Sequence, residues 1–161
     1  MKIYKAKLMK VMSAATEEKG TVMTAYLQIR IDNYCLWAFT AHGWPIGDEL
    51  LGFEGKTLPL RFVFLNLKTE LSDERIKAII PVDPNIIACD HYTIIGEIIN
   101  KEPFPREPDR FEYLQVDCGF IVNSLGADKG EYDIGDFIRS EGRLDAYLVE
   151  EEELAEMMDE R

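Results

Sequence analysis

The chain is short of the residues that most often announce chemistry. Its 161 residues include three cysteines and two histidines. An odd cysteine count with no Cys-x-x-Cys pair argues against a disulfide framework and suits a reducing, cytoplasmic setting. Cys89-Asp90-His91 is the one close cluster of metal-ligand types. Cys118 and His42 are remote from it and no His-x-x-x-His pair exists, so no metal is expected. Cys35 and Cys118 lie in apolar runs, where a free thiol behaves as a small hydrophobe. No apolar run approaches the roughly 18 residues of a membrane span. The segment from Met1 to Val11 alternates Lys with apolar residues and lacks the core and cleavage site of a signal peptide. A phosphate-binding P-loop is missing too, because Gly55-Lys56-Thr57 has Leu50 where that motif requires a glycine.

Nucleophilic catalysis needs a nucleophile, a base and an orienting group. Nothing in the spacing pairs a cysteine with a histidine, and His42-Gly43-Trp44-Pro45 reads as a connecting loop. Thirty acidic residues make chance carboxylate pairs common. The expectation is therefore a protein that is not an enzyme and carries no cofactor.

Acid is what the chain has in excess, and it is unevenly spread. The formal net charge of −12 divides as +2 over residues 1–80, −8 over 81–149 and −6 over 150–161. The first part is nearly neutral, the second acidic, and the end an acidic tail. Leu154, Met157 and Met158 in that tail are spaced for a short amphipathic helix.

Alternation of apolar and polar residues dominates the remainder and predicts strands. Met23, Ala25, Leu27, Ile29 and Ile31 share one face, and Thr24, Tyr26, Gln28 and Arg30 the other. After an Asp32-Asn33 turn signal the run Tyr34–Phe39 completes a hairpin. Leu58, Leu60, Phe62 and Phe64 alternate similarly, as do Leu114 to Val122 and Ile138 to Leu148. One short linking helix is predicted from Ser72 to Pro81. Ser72 is its N-cap, Asp73 and Glu74 suit its first turn, and Leu71 with Ile76 forms a staple. Val82-Asp83-Pro84-Asn85 then reads as an extended link.

The pattern repeats. Tyr26-Leu27-Gln28-Ile29 recurs as Tyr113-Leu114-Gln115-Val116, Ile46-Gly47-Asp48 as Ile134-Gly135-Asp136, and Glu54-Gly55-Lys56 as Glu141-Gly142-Arg143, each 87 or 88 residues on. Tyr4 and its strand match Tyr92 likewise. The expected organisation is all-β: one unit over 1–80, a second over 88–149, and the tail 150–161 as a short helix or solvated segment.

Gly135 to Leu144, a Gly-Asp turn leading to Glu-Gly-Arg-Leu, resembles the fourth-strand region of OB-fold proteins such as bacterial single-stranded-DNA-binding proteins. Gly47 to Leu58 is a looser version with a bulge expected near Gly52. The resemblance implies an OB-like five-stranded barrel in each half; folding of both halves together into one larger barrel or sandwich is the alternative. It also points to aromatics on strands as stacking platforms, with Tyr26 and Arg30 on one face and Tyr34, Trp37, Tyr113 and Tyr147 as further candidates. Lys5 and Lys7 share a face of the first strand. The leading reading is a non-enzymatic module that meets a protein partner, a basic one by charge, through its acidic second half and tail. Single-stranded nucleic-acid binding through the first unit is the alternative, opposed by the net charge. No membrane partner is expected.

Overall fold

The alternating segments are strands. The computed structural model describes residues 2–17, 20–40 and 43–150. Among them are β1 (Tyr4–Thr16), β2 (Val22–Ile31), β3 (Tyr34–Thr40), a helical turn α1 (Asp48–Leu51), β4 (Thr57–Leu71), β5 (Ala78–Pro81), β6 (His91–Pro103), β7 (Phe111–Asp117), β8 (Ile121–Asp128) and β9 (Phe137–Leu148). The protein is nearly all β. Among the described residues no helix is long and apolar enough to cross a membrane. The expectations for His42 and for the helix at Leu154, Met157 and Met158 fall outside the described residues.

Two compact units are present. Among the described residues the N-terminal unit is Ile3–Arg61 with Asp145 to Glu150, and the central unit is Phe62–Leu144 with Lys2. These boundaries cut across the sequence intervals 1–80 and 88–149. The reason is strand length: β4 has 15 residues and β9 has 12, at least twice the usual strand, and each gives about a third of its length to the N-terminal unit and the rest to the central one.

In the N-terminal unit, β1, β2 and β3 form an antiparallel meander in which Leu8 faces Ile29 and Ile29 faces Leu36. The β2–β3 turn is Asp32-Asn33, with Asp32 at φ 48°, a left-handed conformation that Asp tolerates. The end of β9 adds in parallel to β3, Phe39 opposite Asp145. The start of β4 adds antiparallel to β1, Tyr4 opposite Leu60. The Val149 N–H donates to the Pro59 carbonyl at 3.0 Å, so five strands close on themselves. Ala25, Leu27, Ile29, Leu58 and Leu60 fill the interior as alternation requires, whereas Met23 is exposed. Burying each large aliphatic side chain contributes about 1.5–3 kcal/mol.

The central unit repeats this order. In its β6–β7–β8 meander Ile98 faces Val116 and Val116 faces Val122. The second half of β4 adds in parallel to β8, Val63 opposite Asn123. The first part of β9 adds antiparallel to β6, Ile94 opposite Ser140. The Ser72 N–H donates to the Phe137 carbonyl at 2.8 Å. Leu114, Val116, Cys118, Phe120 and Val122 are all buried, but they do not form one strand: Leu114 and Val116 are in β7, Val122 in β8, and Cys118 and Phe120 in the turn between them, where Asp117 accepts the Gly119 N–H at 3.0 Å.

The linking helix predicted from Ser72 to Pro81 does not form. Ser72 Oγ accepts the N–H of Glu74, two residues on, at 3.1 Å, which closes a local turn instead of capping a helix. Ala78–Pro81 is strand β5, paired to β6 with Ile79 opposite Ile94. A short helix is marginal by itself, and β-branched isoleucines beside an open strand edge pair better than they coil. Pro81 lacks a backbone donor and suits this edge position. Val82–Asn85 turns rather than extends, with Asp83 Oδ1 accepting the Asn85 N–H at 3.0 Å. The helical turn α1 stands where a bulge near Gly52 was expected, and Gly52 itself is in the right-handed helical conformation.

Candidate functional site

Because Leu27 and Ile29 point inward, Tyr26, Gln28 and Arg30 point outward on the other side of β2. The register of the meander sets these into three rows. Lys7, Arg30 and Cys35 form the first; Lys10, Gln28 and Trp37 the second; Met12, Tyr26 and Phe39 the third. With strands about 4.8 Å apart and same-face residues about 6.8 Å apart, the nine side chains make one outer patch. Three are cationic, three aromatic and none acidic.

Lys7 and Lys10 are three residues apart and would face opposite ways on a regular strand. A bulge between Leu8 and Lys10 shifts the register by one residue. Leu8 and Val11 therefore both point into the core, and Lys7 and Lys10 both point out. In the third row the Tyr26 and Phe39 rings meet edge to face, centroids 6.1 Å apart.

Of the residues singled out in the sequence, Tyr26, Arg30 and Trp37 come together on this face. Tyr34 begins β3 with the parity of the buried Leu36 and Ala38, so it belongs to the other side. Tyr147 is on β9 in the same unit and carries the Arg61 guanidinium over its ring, 5.2 Å from the centroid. Tyr113 belongs to the central unit, where its ring lies 5.1 Å from that of Phe104. Phe39, Gln28, Met12 and Lys10 were missed. Parity alone identifies Phe39 and Gln28, but Lys10 requires knowledge of the bulge.

Cys35, expected as an apolar filler, is exposed in the first row, whereas Cys118 is buried and its burial pushes the thiol pKa up to about 12. At pH 8 a maleimide is expected to label Cys35 and leave Cys118 unmodified in the folded protein, as read by mass spectrometry of proteolytic fragments. Equal labelling of both would contradict the burial of Cys118.

At the corresponding end of the central unit, Lys77 reaches Asp117 at 2.8 Å and Glu97 at 4.0 Å. Burial alone would raise the Asp117 pKa, but the Lys77 hydrogen bond, the Gly119 N–H and the Lys77 charge together leave it lowered. The hydrogen bond and charge of Asp117 raise that of Lys77. The Asp117 contribution to stability is thus present above its ordinary value of 3.8 and fades as pH falls through its folded value. The Lys77 contribution is present below 10.5 and fades as pH rises through its folded value. Lys77→Met is expected to make stability less sensitive to acid, seen as a smaller drop in urea midpoint between pH 5 and about pH 2 than in the parent. The effect is small because the pair is partly exposed.

His91 Nδ1 lies 2.8 Å from Asp90 Oδ1, the Asp90 side chain being buried. Among the described residues no group of three His, Cys, Asp or Glu side chains is arranged to hold a metal ion. A cavity of about 150 Å³ in the central unit is lined by Asn66, Thr69, Ser124 and Tyr132 among others. Asn66 donates to Thr69, Ser124 to Asn66, and Tyr132 to the Thr69 carbonyl, so these groups satisfy one another.

No family model matches the chain, and neither does any curated protein or solved structure.

Proposed function

We propose that each unit is an OB-like barrel and that the N-terminal unit binds single-stranded nucleic acid on the outer face of β1, β2 and β3. The observation that carries this reading is the three-by-three patch. It joins Lys7, Lys10 and Arg30 to Tyr26, Trp37 and Phe39 on the meander face where OB folds hold oligonucleotides.

Connectivity supports the barrel reading. Each unit has a three-stranded meander, a fourth strand antiparallel to the first, and a closing strand parallel to the third. The duplication is supported by finer matches. The first strand of each unit bulges at the same place, after Leu8 and after Ile98, and the second residue on, Lys10 or Asn100, faces Gln28 or Gln115. Tyr26 thus corresponds to Tyr113. Gly135 corresponds not to Gly47 but to Gly55. The Gly55 N–H donates to Leu8 and the Leu8 N–H to Lys56, just as the Gly135 N–H donates to Ile98 and the Ile98 N–H to Asp136. Both glycines have φ near +90°, 84° and 96°. The matches of Gly47-Asp48 with Gly135-Asp136, and of Glu54-Gly55-Lys56 with Glu141-Gly142-Arg143, are therefore not equivalent positions. The helical turn α1 lengthens the first copy between them.

The net charge of −12 opposes phosphate less than its size implies. At about 0.1 M salt, charges more than roughly 10 Å apart are largely screened, and the patch itself carries no acid. A protein partner engaged through the acidic second half and tail is the second reading, supported by the −8 and −6 of those segments. No reaction is assigned.

Fluorescence polarisation with a labelled oligothymidylate at low salt tests the first reading. Trp37→Ala is expected to weaken binding by about 5- to 150-fold, the value of about 1–3 kcal/mol for one stacked base. Arg30→Ala is expected to reduce the slope of log affinity against log salt by about 0.7. Absence of oligonucleotide binding, or binding indifferent to both substitutions, would reject this face.

A further inference from the structure

The two outer faces share one register and carry opposite charge. In the central unit the first row is Glu97, Asp117 and Ile121, where the N-terminal unit has Lys7, Arg30 and Cys35. The second is Asn100, Gln115 and Asn123, where the other has Lys10, Gln28 and Trp37. The third sets Glu102 beside Tyr113, where the other has Met12 beside Tyr26. Gln and Tyr are retained, while two cations have become acids and the third has become Asn.

The stacking position changes as well. Asn123 stands for Trp37, is 2% exposed, and spends its side-chain amide on the Phe62 carbonyl at 3.2 Å. The cations nearby are already engaged. Lys77 bonds Asp117, Lys101 donates to the Tyr132 carbonyl at 3.0 Å and lies 3.7 Å from Glu112, and Arg110 stacks over Phe111.

We infer that the protein holds a single strand at one site per chain, in the N-terminal unit, and that the acids Glu97 and Asp117 at the positions of Lys7 and Arg30 bar the central unit from the same role. This inference rests on the nucleic-acid reading above. Its physical basis is that phosphate neutralisation supplies most of the sequence-independent affinity, and the central face offers repulsion in the places where the other offers neutralisation.

The test is a stoichiometric titration of the full chain with an oligothymidylate of about eight nucleotides, within the roughly 4–16 that one OB fold covers, read by polarisation and native mass spectrometry. The parent is expected to bind one oligonucleotide per chain. Lys7→Glu with Arg30→Asp, both at exposed positions, is expected to lower affinity at least about tenfold. Glu97→Lys with Asp117→Arg, combined with Lys77→Gln to avoid repulsion, is expected to raise the stoichiometry to two, the second site being about 5- to 150-fold weaker for want of the stacked ring. Two oligonucleotides bound by the parent, or unchanged affinity in the Lys7/Arg30 variant, would overturn the assignment to one unit while leaving strand binding itself intact. A Glu97/Asp117 variant that melts like the parent and still binds one would overturn the role given to those acids. A parent that binds none removes the nucleic-acid reading and this inference with it.

Discussion

A chain ending at Leu144 will fail to fold its N-terminal unit, although four of that unit's five strands lie before Phe62. The fifth is the end of β9, from Asp145 on, more than eighty residues later. It supplies the parallel partner of β3 through Asp145 and Ala146. The buried Ala146 and Val149 lie there too, as does the carbonyl that accepts the Trp44 indole N–H at 2.8 Å. Its loss leaves β3 and the start of β4 as open edges and lets water into the interior. Each lost hydrogen bond costs about 1 kcal/mol, and the exposed apolar lining adds several more, against a typical domain stability of about 5–15 kcal/mol. Hydrogen exchange is the measurement. Protection of β1, β2 and β3 should vanish in the chain ending at Leu144 and persist in one ending at Glu150. The central unit, whose strands all lie within 62–144, should stay protected in both. Retained protection of β1–β3 in the shorter chain would show that the unit does not need β9.

Gly142→Ala is the second large effect expected. A Cβ there would lie 2.3 Å from the Leu65 carbonyl oxygen and 2.9 Å from the Asn66 Cα. Both obstacles are backbone, so relief requires β4 to move away from β9. Destabilisation of about 3 kcal/mol or more is expected, the upper range for overpacking. Gly55→Ala makes the contrast: it meets nothing within 4 Å, but its φ of 84° forces an alanine into the left-handed region, at about 1–2 kcal/mol. Urea denaturation of the two variants decides the matter. If Gly142→Ala were the milder, the close approach of the two long strands would be wrong.

This contrast also marks where sequence reading succeeded and where it failed. Glu54-Gly55-Lys56 and Glu141-Gly142-Arg143 look alike in one dimension, yet Gly55 turns the chain into β4 and Gly142 lets two strands touch. Glycine serves both needs by lacking a Cβ, and short-range pattern does not separate them. The segment Ser72–Pro81 misled for a related reason. Ser-Asp-Glu is a fair helix start, but the free edge of β6 outbid a helix too short to hold itself. Tyr26, Arg30 and Trp37 were legible as one face because parity within a hairpin is local.

What the sequence determined by itself is the inside and outside of β2 from Ala25 to Ile31, the Asp32-Asn33 turn, and the division of charge along the chain. These follow from the two-residue period and from composition, which need no knowledge of neighbours. Only the tertiary structure decided that β9 closes the N-terminal unit and β4 the central one, that a bulge brings Lys10 beside Lys7, and that Lys7 lies opposite Arg30 in one unit and Glu97 opposite Asp117 in the other. Each of these depends on how strands pair and in which register. A shift of one residue there exchanges the two faces, and no local propensity sets it.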